Sequence, residues 1–273
     1  MTAPSVFPRS VVLYGTGLMG CSFALALRKH FPEVRIYGVD DPEVLDRARK
    51  LGAVEAGPDL PKSPDLIVLA APVGAILKRL DELSPDTSLI LDVGSTKVAI
   101  CEVAESRRLP FVGGHPMTGS ERSGPEAASA ELFENAPFFL CPISTTPQDA
   151  ISKLTEMLGR IGAEPIVLEA KQHDRLVAQL SHLPQLLSTV LADQTSTHKA
   201  FAGPGWKSVT RLAASPFHIW RDIFKTSAAL PEELQVFITK LREVLDALES
   251  GKVDDIEVIF ERANRAAAGE AHE

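Results

Sequence analysis

A chain of 273 residues is longer than most single domains, so two domains or one large one are expected. Its 45% hydrophobic content supports a substantial core, and its net charge of −8 argues against nucleic acids and acidic membrane surfaces as partners. No apolar run is long enough for a membrane span, and the first residues lack the pattern of a secretory signal. Three unclustered cysteines predict neither a disulfide framework nor a metal site. A cytoplasmic protein without a metal is therefore expected.

Short apolar runs alternate with longer amphipathic stretches over the first 168 residues. The runs mostly do not alternate with polar residues, which is typical of strands buried on both faces. Repeated strand–helix–strand units predict a parallel sheet covered by helices. The strands are predicted at 11–15, 34–39, 65–70, 88–93, 110–114, 137–141 and 164–169.

The second half of the chain has only helical patterns. One long helix is predicted over 170–198, followed by a loop over 201–206 and a helix that starts near Lys207. Pro216 is expected in the first turn of the next helix, and helices over 231–251 and 252–267 complete the chain. Their long apolar faces fit a lone helical domain or a dimerisation core, and we favour the dimerisation core.

The sequence Gly15-Thr16-Gly17-Leu18-Met19-Gly20 follows the first strand and opens a helix. In a dinucleotide-binding turn, its glycines allow a tight turn, a close approach of the pyrophosphate and close helix–strand packing. A plain glycine turn between buried elements is the alternative. With this motif, the fold class is α/β: a Rossmann-type domain over 1–168 and a helical substrate and dimerisation domain over 169–273.

Asp40 ends the second strand, twenty residues after Gly20. A carboxylate there accepts hydrogen bonds from the adenosine ribose and repels a 2′-phosphate, so NAD is favoured over NADP. Asp41 is expected to cap the next helix before Pro42. Ala71 and Pro72 follow the third strand, where small residues let a cofactor pass or simply end the strand.

Two polar sites follow neighbouring strands. Ser95 comes after the fourth strand and His115 after the fifth, and ligands of open α/β sheets bind beyond these carboxyl ends. Oxidation of an alcohol carbon needs a group that takes the hydroxyl proton, and histidine is suited to this role. The alternatives are a helix cap at Ser95 or Thr96 and a structural turn at His115.

Several longer segments carry a more specific resemblance. GTGLMGCS, DVGSTK, GGHPMTGSERSG, SHLP and WKSVTRLAASPFHIWRDI together resemble the prephenate/arogenate dehydrogenase family of tyrosine biosynthesis, over about residues 10–265. That resemblance implies NAD-dependent oxidation of prephenate with loss of carbon dioxide, giving 4-hydroxyphenylpyruvate. Arogenate dehydrogenase, which forms tyrosine directly, is the alternative. A homodimer through the helical domain is also implied.

The resemblance further implies roles for residues. His115 would accept the proton of the substrate C4 hydroxyl, and Ser95 would orient His115 and that hydroxyl. Arg211 would bind a substrate carboxylate, which suits a planar and permanently charged guanidinium. Lys207 lies one turn earlier on the same helix face, and a solvated face is the alternative for both cations.

Ser120 and Glu121 match family positions that line or gate the substrate pocket, and His182 matches a substrate-binding position on a helix near the active site. Trp220 matches an aromatic residue that can reach a substrate site across the dimer, and an ordinary core position is its alternative. His173 and Asp174 match helical positions near the active site, without an assigned role. The family often has HLPH where this chain has His182-Leu183-Pro184-Gln185. Gln185 cannot become cationic, so the choice between prephenate and arogenate stays open.

Two rival interpretations remain. A β-hydroxyacid dehydrogenase also pairs a glycine-rich domain with a helical half, but it would need Lys171 or Lys199 as its catalytic lysine. A non-catalytic NAD-sensing regulator would bind the cofactor and turn over no acid. The concentration of hydroxyls, His115 and Arg211 argues against such a regulator, which needs only the cofactor end.

Overall fold

The computed structural model describes residues 7–55, 59–120 and 122–269. Its strands, all predicted from the sequence, form one seven-stranded sheet and end within two residues of the predicted positions. They are β1 Ser10–Tyr14, β2 Arg35–Val39, β3 Leu66–Leu69, β4 Leu89–Asp92, β5 Phe111–Pro116, β6 Pro137–Pro142 and β7 Glu164–Val167. Their order across the sheet is β2-β1-β3-β4-β5-β6-β7.

The helices that cover the sheet lie on both faces. They are α1 Leu18–His30, α2 Pro42–Lys50, α3 Val73–Glu82, α4 Val98–Ser106 and α5 Ala150–Arg160. Val11 and Leu13 of β1 share one core with α1, α2 and α5, whereas Val12 lies in a second core with α3 and α4. Successive strand residues point to opposite faces, so burial on both faces requires the uninterrupted apolar runs seen in the sequence.

The predicted parallel sheet has one antiparallel junction, so β6 and β7 run opposite to β1–β5. β5 and β6 pair antiparallel, with His115 opposite Phe139, while the other neighbouring strands are parallel. A parallel return needs a crossover that is usually helical, and the 117–136 connection has only the short 3-10 helix Pro125–Ala127 among its described residues. β6 therefore returns along β5 in the opposite direction.

The remaining elements are helical. They are α6 Ala170–Val177, a π-helical turn Ala178–His182, α7 Leu183–Gln194, a 3-10 helix Ser196–Phe201, α8 Pro204–Thr210, a 3-10 helix Arg211–Ala214, α9 Phe217–Thr226, α10 Leu230–Glu249, a 3-10 helix Val253–Ile256 and α11 Glu257–Ala267. The chain thus has the predicted α/β half followed by a helical half.

The predicted long helix over 170–198 is interrupted. Leu183 donates its backbone N–H to the carbonyl of Ala178, five residues back, just before Pro184. Pro184 has no N–H to donate to the Leu180 carbonyl, as an α-helix would require. The helix changes to a π turn at this position. α8 begins at Pro204 rather than near Lys207 because proline is pre-organised for a first helical position.

The chain divides into two compact units, 1–228 and 229–273. The first unit holds the sheet and the helices through α9. In the second unit, α10 is followed by the 3-10 helix and α11, with Lys252 donating its N–H to the Ala247 carbonyl at 2.9 Å. Across the described ranges, none of the helices combines the length and apolar character needed to span a bilayer.

Candidate active site

The glycine turn after β1 has the geometry that a dinucleotide site needs. Gly15 has φ +95°, and a Cβ atom there would lie 2.2 Å from the Ala70 carbonyl oxygen. A Cβ on Gly20 would lie 2.0 Å from the Gly15 oxygen, so α1 can pack this closely only with glycine. Gly17 instead faces open space, with nothing within 4 Å of its Cβ position. The turn therefore leaves room for a ligand at its middle glycine.

The start of α1 can attract an anion. Gly17 is the capping residue, and it has no side chain that could occupy the first backbone N–H groups. The partly buried Leu18 and Met19 begin the helix, and its first turn contains no acidic residue. Free N–H groups and the helix dipole favour a phosphate here. The residues at this turn thus fit the pyrophosphate of a dinucleotide.

Asp40 at the end of β2 is tied to the glycine turn. One of its oxygens accepts hydrogen bonds from Thr16 N at 2.5 Å and Thr16 Oγ1 at 3.1 Å. The other accepts from Asp41 N at 2.8 Å. Asp41 occupies the capping position of α2 but makes no side-chain capping bond with the described residues. The carboxylate expected at the ribose therefore also anchors the turn that would hold the pyrophosphate.

The segment after β3 lies beside this turn. Ala70, with the partly buried Ala71 and the exposed Pro72, leads into α3, and Pro72 occupies the capping position of that helix. Gly15 and Gly20 pack against Ala70, so the ends of β1 and β3 are in contact. Strand order reverses between β1 and β3, because β2 lies on the other side of β1. A doubly wound sheet binds its ligand at such a reversal.

A buried ion pair joins the ends of β4 and β5. Lys97 Nζ contacts Asp92 Oδ2 and donates to the Gly114 carbonyl at 2.7 Å, and both charged side chains are fully buried. Asp92 also accepts from Gly94 N at 2.8 Å and from Gly114 N at 2.9 Å. Each charge is therefore surrounded by hydrogen bonds, as a buried pair requires. The pair holds the backbone directly before His115.

His115 is the next-to-last residue of β5 and belongs to a row of three side chains. Its Nδ1 lies 2.9 Å from His173 Nε2, and His173 Nδ1 lies 2.8 Å from Asp174 Oδ1. The two imidazole rings meet edge-on, with centroids 5.0 Å apart. Phe139 on β6 meets the His173 ring at 5.4 Å. His115 is half-buried, whereas His173 and Asp174 are buried on α6.

The surroundings of His115 favour its neutral form. Burial lowers the pKa of His115 well below its usual value, and the nearby His173, Lys97 and His182 lower it further. Burial also lowers the pKa of His173, although Asp174 opposes that effect. A neutral imidazole has a nitrogen lone pair that can accept a proton. The site can therefore provide a general base at neutral pH.

Ser95 lies half-buried between β4 and α4. Within the described ranges no hydrogen bond joins it to His115, whose Nδ1 pairs with His173, so the orienting role that the resemblance implies for Ser95 stays a prediction. Neither Ser95 nor Thr96 caps α4. The cap comes from Asp174, which accepts from Lys97 N at 2.6 Å and Val98 N at 3.0 Å.

Thr96 has a different role from the cap considered for it. Its hydroxyl lies 2.7 Å from the Thr226 hydroxyl on α9. Asp222, also on α9, accepts a hydrogen bond from Gly74 N of α3 at 3.1 Å. Two hydrogen bonds thus connect α9 to the segment after β4 and to the first turn of α3.

His182 lies in the π-helical turn and is buried. Its Nδ1 pairs with Ser227 Oγ at 2.8 Å, and Trp220 meets its ring edge-on at 5.9 Å. Its Nε2 is buried and has no hydrogen-bond partner among the described residues. A buried polar atom without a partner is uncommon and indicates a position that a ligand can satisfy. Burial lowers the pKa of His182 to about 4.

The burial of His182 has a consequence for stability. Its pKa is about 4 when folded, against about 6.5 unfolded, so the unfolded chain binds the proton more tightly. We expect the free energy of unfolding to decrease as pH falls from about 6.5 to about 4. His182→Gln should remove about 3 kcal/mol of that decrease, with His173 and Asp174 still present beside it. Urea unfolding of both proteins across this pH range measures the difference, and parallel curves would contradict it.

Arg211 and Lys207 are both exposed, and neither forms an ion pair with any residue in the described ranges. Lys207 lies in α8 and Arg211 begins the 3-10 helix that follows. Gln185 on α7 donates to the Leu212 carbonyl at 2.9 Å, next to Arg211. Gln185 therefore holds the segment that carries Arg211.

The loop after His115 carries two further candidates. Ser120 is exposed, and its hydroxyl accepts a hydrogen bond from Arg122 N at 3.1 Å. Glu121, the other predicted pocket residue, lies outside the described residues. The structure thus gives Ser120 a local hydrogen bond within its loop.

Sequence reasoning missed the supporting groups of this site. Asp92 and Lys97 were noticed only as part of a polar segment, and His173 and Asp174 had no assigned role. A signal was available for the first pair, because an acid that ends an apolar strand, with a lysine five residues later, is expensive to bury unpaired. His173 and Asp174 had no such signal in the sequence, since α6 and β5 are distant from each other along the chain.

Comparison with known proteins identifies the family. Residues 23–167 match the model "Prephenate dehydrogenase, nucleotide-binding domain", and residues 169–262 match "Prephenate dehydrogenase, dimerization domain". The chain belongs to the prephenate dehydrogenase family. The resemblance in the sequence is thereby confirmed, as are the α/β fold class and the assignment to the oxidoreductases of this family.

Individual relatives agree with the family models. A prephenate dehydrogenase from Lactococcus lactis is 32% identical over 276 residues, covering 94% of this chain and 76% of the relative. The crystal structure of a prephenate dehydrogenase from A. aeolicus with hydroxyphenyl propionate and NAD+ is 26% identical, with a TM-score of 0.87, covering 97% of this chain and 99% of that one. An arogenate dehydrogenase from Synechocystis, also 26% identical, has a TM-score of 0.80 and coverages of 95% and 99%.

Proposed function

We propose that this chain catalyses the NAD-dependent oxidative decarboxylation of prephenate to 4-hydroxyphenylpyruvate, a step of L-tyrosine biosynthesis. The observation that supports it most strongly is a half-buried imidazole, His115, at the carboxyl end of β5 in a family of prephenate dehydrogenases. NAD, when bound, accepts a hydride from ring C4. Loss of the ring carboxylate as carbon dioxide then leaves an aromatic ring.

The cofactor site is assigned to the turn after β1 and the ends of β2 and β3. The backbone at Gly15, Gly17 and Gly20 leaves space for the pyrophosphate, and Leu18 and Met19 begin the helix that faces it. Asp40 accepts hydrogen bonds from the ribose hydroxyls, which selects NAD over NADP. Ala71 and Pro72 border the passage towards the nicotinamide.

His115 removes the C4 hydroxyl proton as the C4 hydride leaves. Its neutral state is favoured by burial and by the cationic Lys97, so it can accept a proton without first losing one. Oxidation of C4 to a carbonyl, together with loss of the ring carboxylate as carbon dioxide, gives the aromatic product. The protein's main task is to hold C4 in line with the nicotinamide.

The substrate carboxylates are assigned to Arg211, with Lys207 one turn earlier. His182 offers its buried Nε2 to a polar group of the substrate, and Trp220 packs edge-on against the His182 ring. Ser95 hydrogen-bonds the C4 hydroxyl, and Ser120 and Glu121 border the pocket.

We also propose a homodimer through the helical domain over 169–273, since residues 169–262 match a dimerization domain. The three cysteines are free and buried, which fits the reducing cytoplasm.

Arg211→Ala should mainly weaken substrate binding. Loss of one charge-assisted hydrogen-bonding partner costs about 1.5–3 kcal/mol, so KM for prephenate should rise roughly 10- to 100-fold while kcat changes little. Lys62→Ala is the control, because Lys62 is an exposed cation that precedes β3 at the opposite end of that strand. An unchanged KM would move the carboxylate site elsewhere.

The decisive assay compares prephenate and arogenate. NADH formation should be rapid with prephenate and NAD, and slow with NADP. Preference for arogenate would favour the alternative, which has support in the similarity to the Synechocystis enzyme and in the uncharged Gln185. Binding of NAD with no turnover of either acid would indicate a regulator. A β-hydroxyacid dehydrogenase has less support, because Lys171 and Lys199 are both exposed.

A further inference from the structure

The row His115, His173 and Asp174 has a defined hydrogen-bonding direction. Asp174 is buried, and its carboxylate caps α4 by accepting from Lys97 N and Val98 N. The same oxygen that accepts from Lys97 N also lies 2.8 Å from His173 Nδ1. An ionised carboxylate can only accept hydrogen bonds, so His173 must donate its Nδ1–H to Asp174.

That constraint passes along the row. With its proton on Nδ1, a neutral His173 has a lone pair on Nε2, and this nitrogen lies 2.9 Å from His115 Nδ1. His115 must therefore donate Nδ1–H to His173. Its own lone pair is then on Nε2, the ring nitrogen that His173 does not occupy. Because each neutral histidine has one proton to place, a single acceptor at Asp174 determines both tautomers.

We propose that Asp174 and His173 are positioning residues that hold His115 in the tautomer whose Nε2 can accept the substrate proton. The catalytic part of this inference rests on the proposed function, whereas the tautomers themselves do not. Asp174 links two tasks, since one side chain both caps α4 and orients the row. Phe139 packs on the His173 ring and limits its rotation, which keeps Nε2 directed at His115.

Two substitutions at His173 separate positioning from packing. His173→Gln places a carbonyl oxygen that can still accept from His115 Nδ1, whereas His173→Met fills similar space without a strong acceptor. We expect kcat of the Met variant to fall roughly 10- to 100-fold, the range for losing a partner that orients a metal-bound imidazole, with KM for prephenate and NAD little changed. The Gln variant should keep most of its kcat. Equal losses in both variants would overturn the inference in favour of a packing role.

The tautomers can be read without any substrate. Nitrogen-15 spectra of the full-length chain, labelled at its seven histidines, report which ring nitrogen has the proton. The His115 signals are identified by their loss in His115→Asn. We expect Nδ1 to be protonated in His115 and in His173, and a tautomer mixture for His115 in His173→Met. A His115 proton on Nε2 in the wild type would overturn the inference.

This design keeps the two proposals apart. If the spectra show both Nδ1 protons but neither prephenate nor arogenate is oxidised, the positioning row stands and the proposed function fails. If prephenate is oxidised but His115 has its proton on Nε2, the function stands and the positioning row fails. A wild-type proton on Nε2 of His173 would remove Asp174 from the row, even if His173 still orients His115.

Discussion

His115→Asn should reduce kcat for prephenate about 10²- to 10⁴-fold, the usual contribution of a positioned general base. Asparagine keeps a polar side chain of similar reach but cannot take up the hydroxyl proton. KM for prephenate should stay within a few-fold of the wild-type value, because the proposed carboxylate site at Arg211 and Lys207 is unchanged. Steady-state kinetics of NADH formation measures both parameters.

The pH dependence of kcat is a second test of His115 as the general base. His115 acts as a base only when neutral, so activity falls as pH drops through its pKa. Burial, His173, Lys97 and His182 hold that pKa well below the ordinary value, so wild-type kcat should persist below pH ~6.5. The residual activity of His115→Asn should lack this acid limb. His198→Asn, at an exposed position, is the control, and a kcat within about three-fold of wild type for His115→Asn would exclude the role.

Lys97→Met should cause the largest loss of stability. The substitution leaves Asp92 buried without its cation, and breaking a buried pair in this way costs about 3–5 kcal/mol. The loss also removes the hydrogen bond from Lys97 to Gly114, the residue before His115. We therefore expect a lower urea midpoint together with weaker turnover, measured on the same preparations.

A double variant shows whether the uncompensated charge is the cause. Asp92→Leu combined with Lys97→Met removes both charges and should recover part of the stability lost in the single variant. Lys50→Met removes the exposed partner of Asp46 and should leave the midpoint almost unmoved. A Lys97→Met midpoint equal to that of Lys50→Met would contradict the structural role of the pair.

The strands and the glycine turn could be predicted from the sequence because neighbouring residues determine them. A strand buried on both faces must be apolar throughout, and a turn with φ +95° at Gly15 requires glycine. The directions of β6 and β7 were misjudged, because the reversal depends on the connection over 117–136 and not on the residues of either strand. The π turn before Pro184 was missed for a related reason, since the helical pattern continues through it.

The amino-acid sequence by itself determined the α/β organisation, the dinucleotide turn with Asp40 and the candidate base His115, because short-range spacing and residue chemistry are enough for these features. Only the tertiary structure decided what supports His115. It brings His173 and Asp174 of α6 against β5, although His115 and His173 are 58 residues apart in the sequence. It also buries the Lys97–Asp92 pair, which hydrogen-bonds the backbone of Gly114. His173 and Asp174 are brought to His115 by packing between distant segments, whereas the Lys97–Asp92 pair is local in sequence and forms because burial makes each charge require a partner.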